Sequence, residues 1–260
     1  MGNPSKIEQM AGQAMAYAVA PYTFGIIQND HLGREAREIG TGFGVRWKGR
    51  PLILTAAHTV WQTPDEMLYY LLPIIKGVEI LDSTATTVVG SEFYQERVQL
   101  EKPVILLSDA DSHDDLAAIL LPTQPRQVIE AHFYEFDEKH VTPDVGCSVI
   151  FLGYPATRSE HYGANYVANP HYDCGEICVG TRDKDYDPSL HFLIRYSSSK
   201  AVDPHGLSGS GVWFSPPIGM IWSPNVHLAG LLTHYFEDKK ALRCYRVETV
   251  LSFLESLQLH

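Results

Sequence analysis

The sequence has little with which to grip nucleic acid. Among its 260 residues no run of Lys and Arg exceeds two, and 20 basic side chains stand against 31 acidic ones, a formal net charge of −11. Phosphate backbones are held by clustered cations, so no nucleic-acid partner is expected. No apolar stretch is long enough to span a bilayer. A charged-then-apolar leader is also missing, since Lys6 is followed by Ile7-Glu8-Gln9. Ser5 falls one place early for the myristoylation pattern that begins Met1-Gly2. No membrane association is expected, and a cytoplasmic location is the simplest reading. Cysteine is scarce: Cys147, Cys174, Cys178 and Cys244, which such a compartment would keep as reduced thiols. Internal repeats and low-complexity segments are absent.

What is present is a dense series of short strands. With 45% apolar residues, the chain can bury one large all-β core or two packed barrels. Runs rich in β-branched and aromatic residues, separated by Gly, Pro, Asp and Ser, predict strands over 24–28, 40–47, 51–55, 74–81, 87–89, 104–107 and 116–121. A second set follows over 147–152, 177–180, 192–196, 211–214, 227–232 and 243–247. The stretch Pro122–Pro125 is a plausible connector. Helical spacing of Ile7, Met10, Ala11, Ala14, Met15 and Ala18 predicts a helix over 5–19, ended by Pro21. This helix is expected to pack on the body of the protein or to bind a partner. Apolar residues at 250, 251, 253, 254 and 257 predict another helix at the end of the chain. Two long segments, 61–73 and 156–175, read as enlarged, aromatic-rich loops able to rim a cleft.

Pro204-His205-Gly206-Leu207-Ser208-Gly209-Ser210-Gly211 is the stretch with chemical promise. Gly206 and Gly209 permit backbone angles closed to other residues, so a serine can be exposed on a tight turn with N–H groups converging beside it. That is what acyl transfer requires: a nucleophile and donors aimed at a developing oxyanion. Leu54-Thr55-Ala56-Ala57-His58 offers a base, and Asp114-Asp115-Leu116-Ala117 offers a carboxylate to orient it. Ser208 is the favoured nucleophile because Val212-Trp213 then forms the following strand, with Ser210 as the rival. Asp115 is favoured over Asp109, Asp111 and Asp114 because it abuts an apolar strand. The run from Asp109 to Asp115 lacks the central Gly and distal Glu of a calcium loop. His161, His171, Cys174 and Cys178 have zinc-ligand character but in an unusual order. No metal or other cofactor is assigned.

Gly-Thr-Gly-Phe at 40–43, Leu-Thr-Ala-Ala-His at 54–58, Asp-Leu-Ala at 115–117 and Gly-Leu-Ser-Gly-Ser-Gly at 206–211 resemble the motifs of the chymotrypsin/trypsin-like serine proteases, most of all their bacterial and intracellular branch. The chain order His, Asp, Ser fits that family, and Gly153-Tyr154-Pro155 is similar to its bacterial members. The resemblance implies an all-β fold, a double six-stranded β-barrel with an N-terminal and a C-terminal helix. Its units are expected at 1–22 (helical segment), 23–125 (first barrel) and 126–260 (second barrel and terminal helix).

It further implies a catalytic triad of His58, Asp115 and Ser208, and an oxyanion hole from the N–H groups of Gly206 and Ser208. The family usually has Asp or a small polar residue where this chain has Leu207. The cysteine that secreted members carry beside the His is replaced by Thr59. No Ile/Val-Gly-Gly activation signal occurs near 20–30, so no processing is expected there. By alignment, Val202 lies at the base of the substrate pocket, with Asp203 adjacent, His205 placed to touch substrate, and Thr233, His234 and Tyr235 on the far wall. A narrowing Tyr235 weighs against strong preference for Arg or Lys.

The expected function is that of a serine endopeptidase acting on protein or peptide substrates through an acyl-enzyme. It would be restrained by conformation or by a regulatory or sensor protein, a role the family fills in bacterial defence. The alternative is a catalytically silent scaffold serving as a protein-binding module.

Overall fold

The computed structural model describes residues 6–30, 36–60, 67–73, 98–100, 104–108, 115–121, 133–136, 140–162, 165–168, 170–196, 203–216, 225–257 and 259. It opens with helix α1 (Lys6–Val19). Pro21 lies in the short 3-10 turn that follows, and the Thr23 hydroxyl donates to the Val19 carbonyl at 3.2 Å, satisfying one of the acceptors a helix end leaves open. Met15, Ala16 and Val19 are buried. The helix lies over two strands of the second sheet, with Gly12 close enough that an added methyl would meet Cys174 Sγ at 3.1 Å.

The first sheet is antiparallel along β5-β4-β1-β2-β3-β7-β6: β1 (Thr23–Asp30), β2 (Ala36–Trp47), β3 (Arg50–Thr55), β4 (Met67–Pro73), β5 (Val98–Leu100), β6 (Val104–Leu107) and β7 (Ala117–Leu120). A short β8 (Tyr134–Glu135) adds in parallel to β2. The β2–β3 hairpin closes through Lys48 (φ 48°) and Gly49 (φ 76°). Two left-handed residues are what a two-residue turn needs to match strand twist.

The second sheet is a closed barrel in the order β12-β13-β16-β15-β14-β9. Its strands are β9 (Ser148–Gly153), β12 (His171–Cys178), β13 (His191–Arg195), β14 (Gly211–Phe214), β15 (His227–Phe236) and β16 (Ala241–Arg246), with the hairpin β10 (Ser159–Tyr162) and β11 (Asn165–Ala168) between β9 and β12. Helix α2 (Val247–Ser256) follows β16. It is capped from outside: Val247 N–H donates to the Thr142 hydroxyl, and Thr142 N–H donates to the Glu248 carboxylate at 2.9 Å.

Side chains alternate along the strands, as the period of two requires. On β3, Leu52 and Leu54 face the seam between the sheets while Ile53 faces the interior of the first. On β9, Ile150 and Leu152 face the seam while Val149 and Phe151 fill the barrel. Trp213 is fully buried in that seam, with its ring 5.8 Å from Phe43 and 4.9 Å from Tyr134. Both helices contribute to the same cluster through Met15, Val19, Val250 and Leu254.

Several expectations are corrected. Residues 61–73, read as a loop, contain β4, which pairs with β1 on one side and β5 on the other. Its apolar run lacks the alternation that signals a half-buried strand. Residues 156–175 hold the β10–β11 hairpin and the start of β12, and β12 begins at His171 and not at 177. The strands expected at 74–81 and 87–89, and the connector at 122–125, lie outside the described residues. All four cysteines are free thiols. No helix among the described residues is long and apolar enough to cross a membrane.

The His191 imidazole is buried on β13, where Nδ1 accepts the Asp187 N–H at 3.0 Å and the ring lies 4.6 Å from Tyr245. Desolvation, reinforced by the Arg243 guanidinium, pushes its pKa down from 6.5 to about 4. The unfolded chain therefore takes up a proton below pH 6.5 that the fold refuses. Stability present above that pH is lost as pH falls towards about 4. The shift corresponds to about 3 kcal/mol. In urea titrations at pH 7 and pH 4.5, the wild type should lose ~2 kcal/mol more stability between the two than His191→Asn, which keeps an acceptor near the Nδ1 position. Equal losses would remove His191 from the acid response.

Candidate active site

The β3–β7 register brings His58 and Asp115 together. Thr55 pairs with Ala117, so the residues leaving β3 run antiparallel to those entering β7. Ala57 N–H accordingly donates to the Asp115 carbonyl at 3.2 Å. His58 sits in the 3-10 turn Ala57–Thr59 directly after β3. Its backbone N–H donates to Asp115 Oδ1 at 2.9 Å, and its Nδ1 lies 2.6 Å from Asp115 Oδ2. A carboxylate only accepts, so the shared proton belongs on Nδ1 and the Nε2 lone pair is free to act as a base. The imidazole is about half exposed, at 52%.

Asp115 has a further anchor that the sequence did not signal. Its N–H donates to the Tyr245 hydroxyl at 2.8 Å. Tyr245 is buried on β16, so a side chain of the second sheet holds the backbone of the carboxylate carried by the first. A lone tyrosine in an apolar strand offers no pattern from which this could be read.

The serine loop is built by two left-handed glycines. Gly206 and Gly209 both have φ +91°, the conformation expected of them. Tight turns follow, with Leu207 N–H donating to Pro204 O and Ser210 N–H to Leu207 O, both at 3.0 Å. The Leu207 side chain, where a polar residue is usual in the resembled family, is fully buried in the barrel core. It holds the loop by burial and not by charge. Ser210 is also fully buried, its hydroxyl against Gly153, whereas Ser208 is only half-buried. Among the described residues, neither the Gly206 N–H nor the Ser208 N–H has a protein acceptor.

Three contacts stitch this loop to the sheets. Thr41 N–H donates to the Ser208 carbonyl at 2.9 Å, and Gly209 N–H donates to the Leu232 carbonyl at 2.7 Å. Gly209 also lies so close to the Thr41 carbonyl and Thr55 Oγ1 that a side chain would collide with both. Thr55 is three residues from His58, so the contact sets the serine loop beside the strand that delivers the imidazole. The Ser208 hydroxyl itself donates to the Thr233 carbonyl at 3.1 Å. The ladder shifts register between Leu232 and His234, and this bulge re-aims Thr233. The structure thus joins His58 to Asp115 directly, but the serine proton rests on Thr233 and not on His58.

The expected substrate-pocket residues are partly placed. Val202 lies outside the described residues. Asp203 and His205 pair with each other, Nδ1 to Oδ1 at 2.5 Å. Although desolvation opposes it, the backbone N–H and ring of His205 hold the Asp203 carboxyl below its usual range. Tyr235 packs edge-on against Tyr196, ring centroids 5.9 Å apart. The His234 ring is exposed, 5.1 Å from Phe236. Local desolvation and then Arg243 push its pKa down. Of the zinc candidates, His171 is buried and Cys174 exposed on the same strand, an odd spacing that points them to opposite faces. The side chain of His161 lies outside the described residues.

No family model matches this sequence, and neither does any curated protein. Solved structures do match. The Rv3671c protease of M. tuberculosis, in its inactive form, superposes with a TM-score of 0.55 at 15% identity over 99% of this chain and 98% of that one. Its active form gives 0.55 at 16% identity over 99% and 88%. Human heparin binding protein gives 0.57 at 12% identity over 92% and 91%. The fold is chymotrypsin-like. At such identities the likeness speaks for architecture: an all-β double-barrel arrangement with a helix at each end.

The glycine constraint yields a direct test. Gly209→Ala should cost ~3 kcal/mol or more in urea unfolding, since it combines backbone strain with a collision against Thr41. Gly49→Ala, also at positive φ but facing open space, should cost only about 1 kcal/mol. Equal costs would show that the Thr41 contact is not as tight as described.

Proposed function

We propose that this chain is a serine endopeptidase working through an acyl-enzyme. The observation that carries the reading is the His58–Asp115 pair, 2.6 Å between Nδ1 and Oδ2, stitched to a glycine loop that presents Ser208 and two N–H groups without protein acceptors. In this reading the Ser208 hydroxyl leaves the Thr233 carbonyl and turns its proton to His58 Nε2. As Oγ attacks the scissile carbonyl carbon, Nε2 takes that proton, and Asp115 keeps the Nδ1 proton in place and steadies the imidazolium. Charge developing on the carbonyl oxygen falls to the N–H groups of Gly206 and Ser208. The imidazolium then protonates the leaving amine. A water deprotonated by His58 releases the acyl group from Ser208.

Asp203, His205, Thr233, His234 and Tyr235, together with Val202, form the substrate side of this reading, and Tyr235 argues against strong selection for Arg or Lys. Its functional units are 1–22, 23–125 and 126–260. We place the protein in the cytoplasm, restrained by its own conformation or by a regulatory or sensor partner, in a defence role. The restraint has a specific support: the Ser208 hydroxyl is engaged by Thr233. The same observation favours the second reading, a catalytically silent scaffold that binds protein, and one fold neighbour is named for binding heparin.

A fluorophosphonate probe separates the two. The wild type should be labelled, Ser208→Ala should fall to background, and Ser210→Ala should label within about threefold of wild type. Labelling lost in Ser210→Ala but kept in Ser208→Ala would exchange their roles. An unlabelled wild type would favour the silent scaffold.

A further inference from the structure

The donors assigned to the oxyanion lie next to a glycine, and a glycine has no preference for one sign of φ. Something must hold Gly206 at +91°. The peptide planes on its two sides are both pinned. On the N-terminal side the His205 carbonyl accepts Ala156 N–H at 2.7 Å. In a trans peptide the carbonyl and the N–H point opposite ways, so the Gly206 N–H is turned away from Ala156. On the C-terminal side the Gly206 carbonyl accepts the Thr41 hydroxyl at 2.8 Å. The same hydroxyl oxygen accepts Tyr154 N–H at 2.9 Å. Both pins therefore lead to the 154–156 segment, one directly and one through Thr41.

Thr41 is fully buried on β2. Its backbone N–H holds the Ser208 carbonyl and its carbonyl accepts the Thr55 hydroxyl at 2.7 Å. A single residue of the first sheet thus bonds the serine loop at 206 and 208, the segment after β9, and the strand that leads to His58. The bridge between Gly206 and Tyr154 needs a group that donates and accepts at once, which a hydroxyl does and a hydrocarbon cannot. Gly153 is kept bare beside it, since an added methyl would meet Thr41 Oγ1 at 2.7 Å. Tyr154 is itself buried in the seam between the sheets, so the bridge is fixed to the core.

We infer that Thr41 is a positioning residue, whose hydroxyl latches Gly206 in the conformation that aims its N–H at the oxyanion. The inference rests on the peptidase reading for its consequence, but the latch itself is a statement about hydrogen bonds and can be tested apart from activity. Without the hydroxyl, the Gly206 carbonyl and the Tyr154 N–H both lose their bond to Thr41, and the loop is freer to turn its donors elsewhere. The effect belongs to the rate at each competent site and not to the fraction of molecules that fold.

The experiment compares wild type, Thr41→Val and Thr41→Ser. It reads the rate constant and the final extent of fluorophosphonate labelling, and amide hydrogen exchange at Tyr154. Thr41→Val should label at least about tenfold more slowly, to a similar final extent. Thr41→Ser should label within about threefold of wild type. Tyr154 exchange should quicken by about tenfold or more in the Val variant alone. A Val variant that labels at the wild-type rate, or that loses extent without losing rate, overturns the inference. So does unchanged exchange at Tyr154. If Thr41→Val does not fold, Thr41→Cys replaces it: a thiol donates and accepts weakly, so an intermediate rate supports the latch and a wild-type rate overturns it. If the wild type is not labelled at all, the peptidase reading fails, and exchange at Tyr154 still decides the latch.

Discussion

The close approach of Gly209 to the Thr41 carbonyl is the contact on which the site depends. It allows a loop of the closed barrel to reach a strand of the other sheet, where Thr41 N–H takes the Ser208 carbonyl at 2.9 Å. Any side chain at 209 would hold the two apart. The three side chains of the site come from positions far apart in the chain, and no local sequence preference brings them near one another. The sheets bring His58 to Asp115 and set the serine loop against Thr41 and Thr55.

The seam is polar at the site and apolar beneath it. Trp213, Phe43, Tyr134 and Leu54 exclude water under the serine loop, so the backbone groups above them must find partners within the protein or lose the free energy of an unmade bond. Thr41, Thr55 and Tyr245 supply those partners. A loop fixed in this way needs no ion pair at its base, which accounts for the buried Leu207. Among the described residues the Gly206 and Ser208 N–H groups have no protein acceptor, and the buried Ser210 hydroxyl and Trp213 Nε1 beside them also lack partners.

Much of the fold was legible from composition and punctuation. The strands 104–107, 51–55 and 211–214 follow from β-branched and aromatic runs bounded by turn residues. The two helices follow from apolar spacing, and His58, Asp115 and Ser208 from short motifs. β4 was not legible, because Met67–Pro73 is apolar almost throughout and shows no facing pattern. β12 began earlier than expected, because His171 and Tyr172 read as loop residues until their pairing with β9 is seen. Tyr245 and Thr41 were hidden for another reason. Their importance lies in partners 130 and 165 residues away, and a hydroxyl in a strand carries no mark of what it will meet.

In the proposed reading the chemistry reduces to a hydroxyl proton that passes from a resting acceptor to a base. Thr233, re-aimed by its bulge, holds the proton of Ser208, and the imidazole stands half exposed with its other nitrogen committed to Asp115. The central claim is that this hydroxyl carries the acyl group during turnover. The most direct measurement is acid quenching of a reaction with an activated ester, followed by intact mass and peptide mapping at successive times. The account predicts an acyl group on Ser208 that appears before free acid accumulates and is then released. An acyl group confined to another residue, such as Cys147, or ester hydrolysis without any adduct, would contradict it.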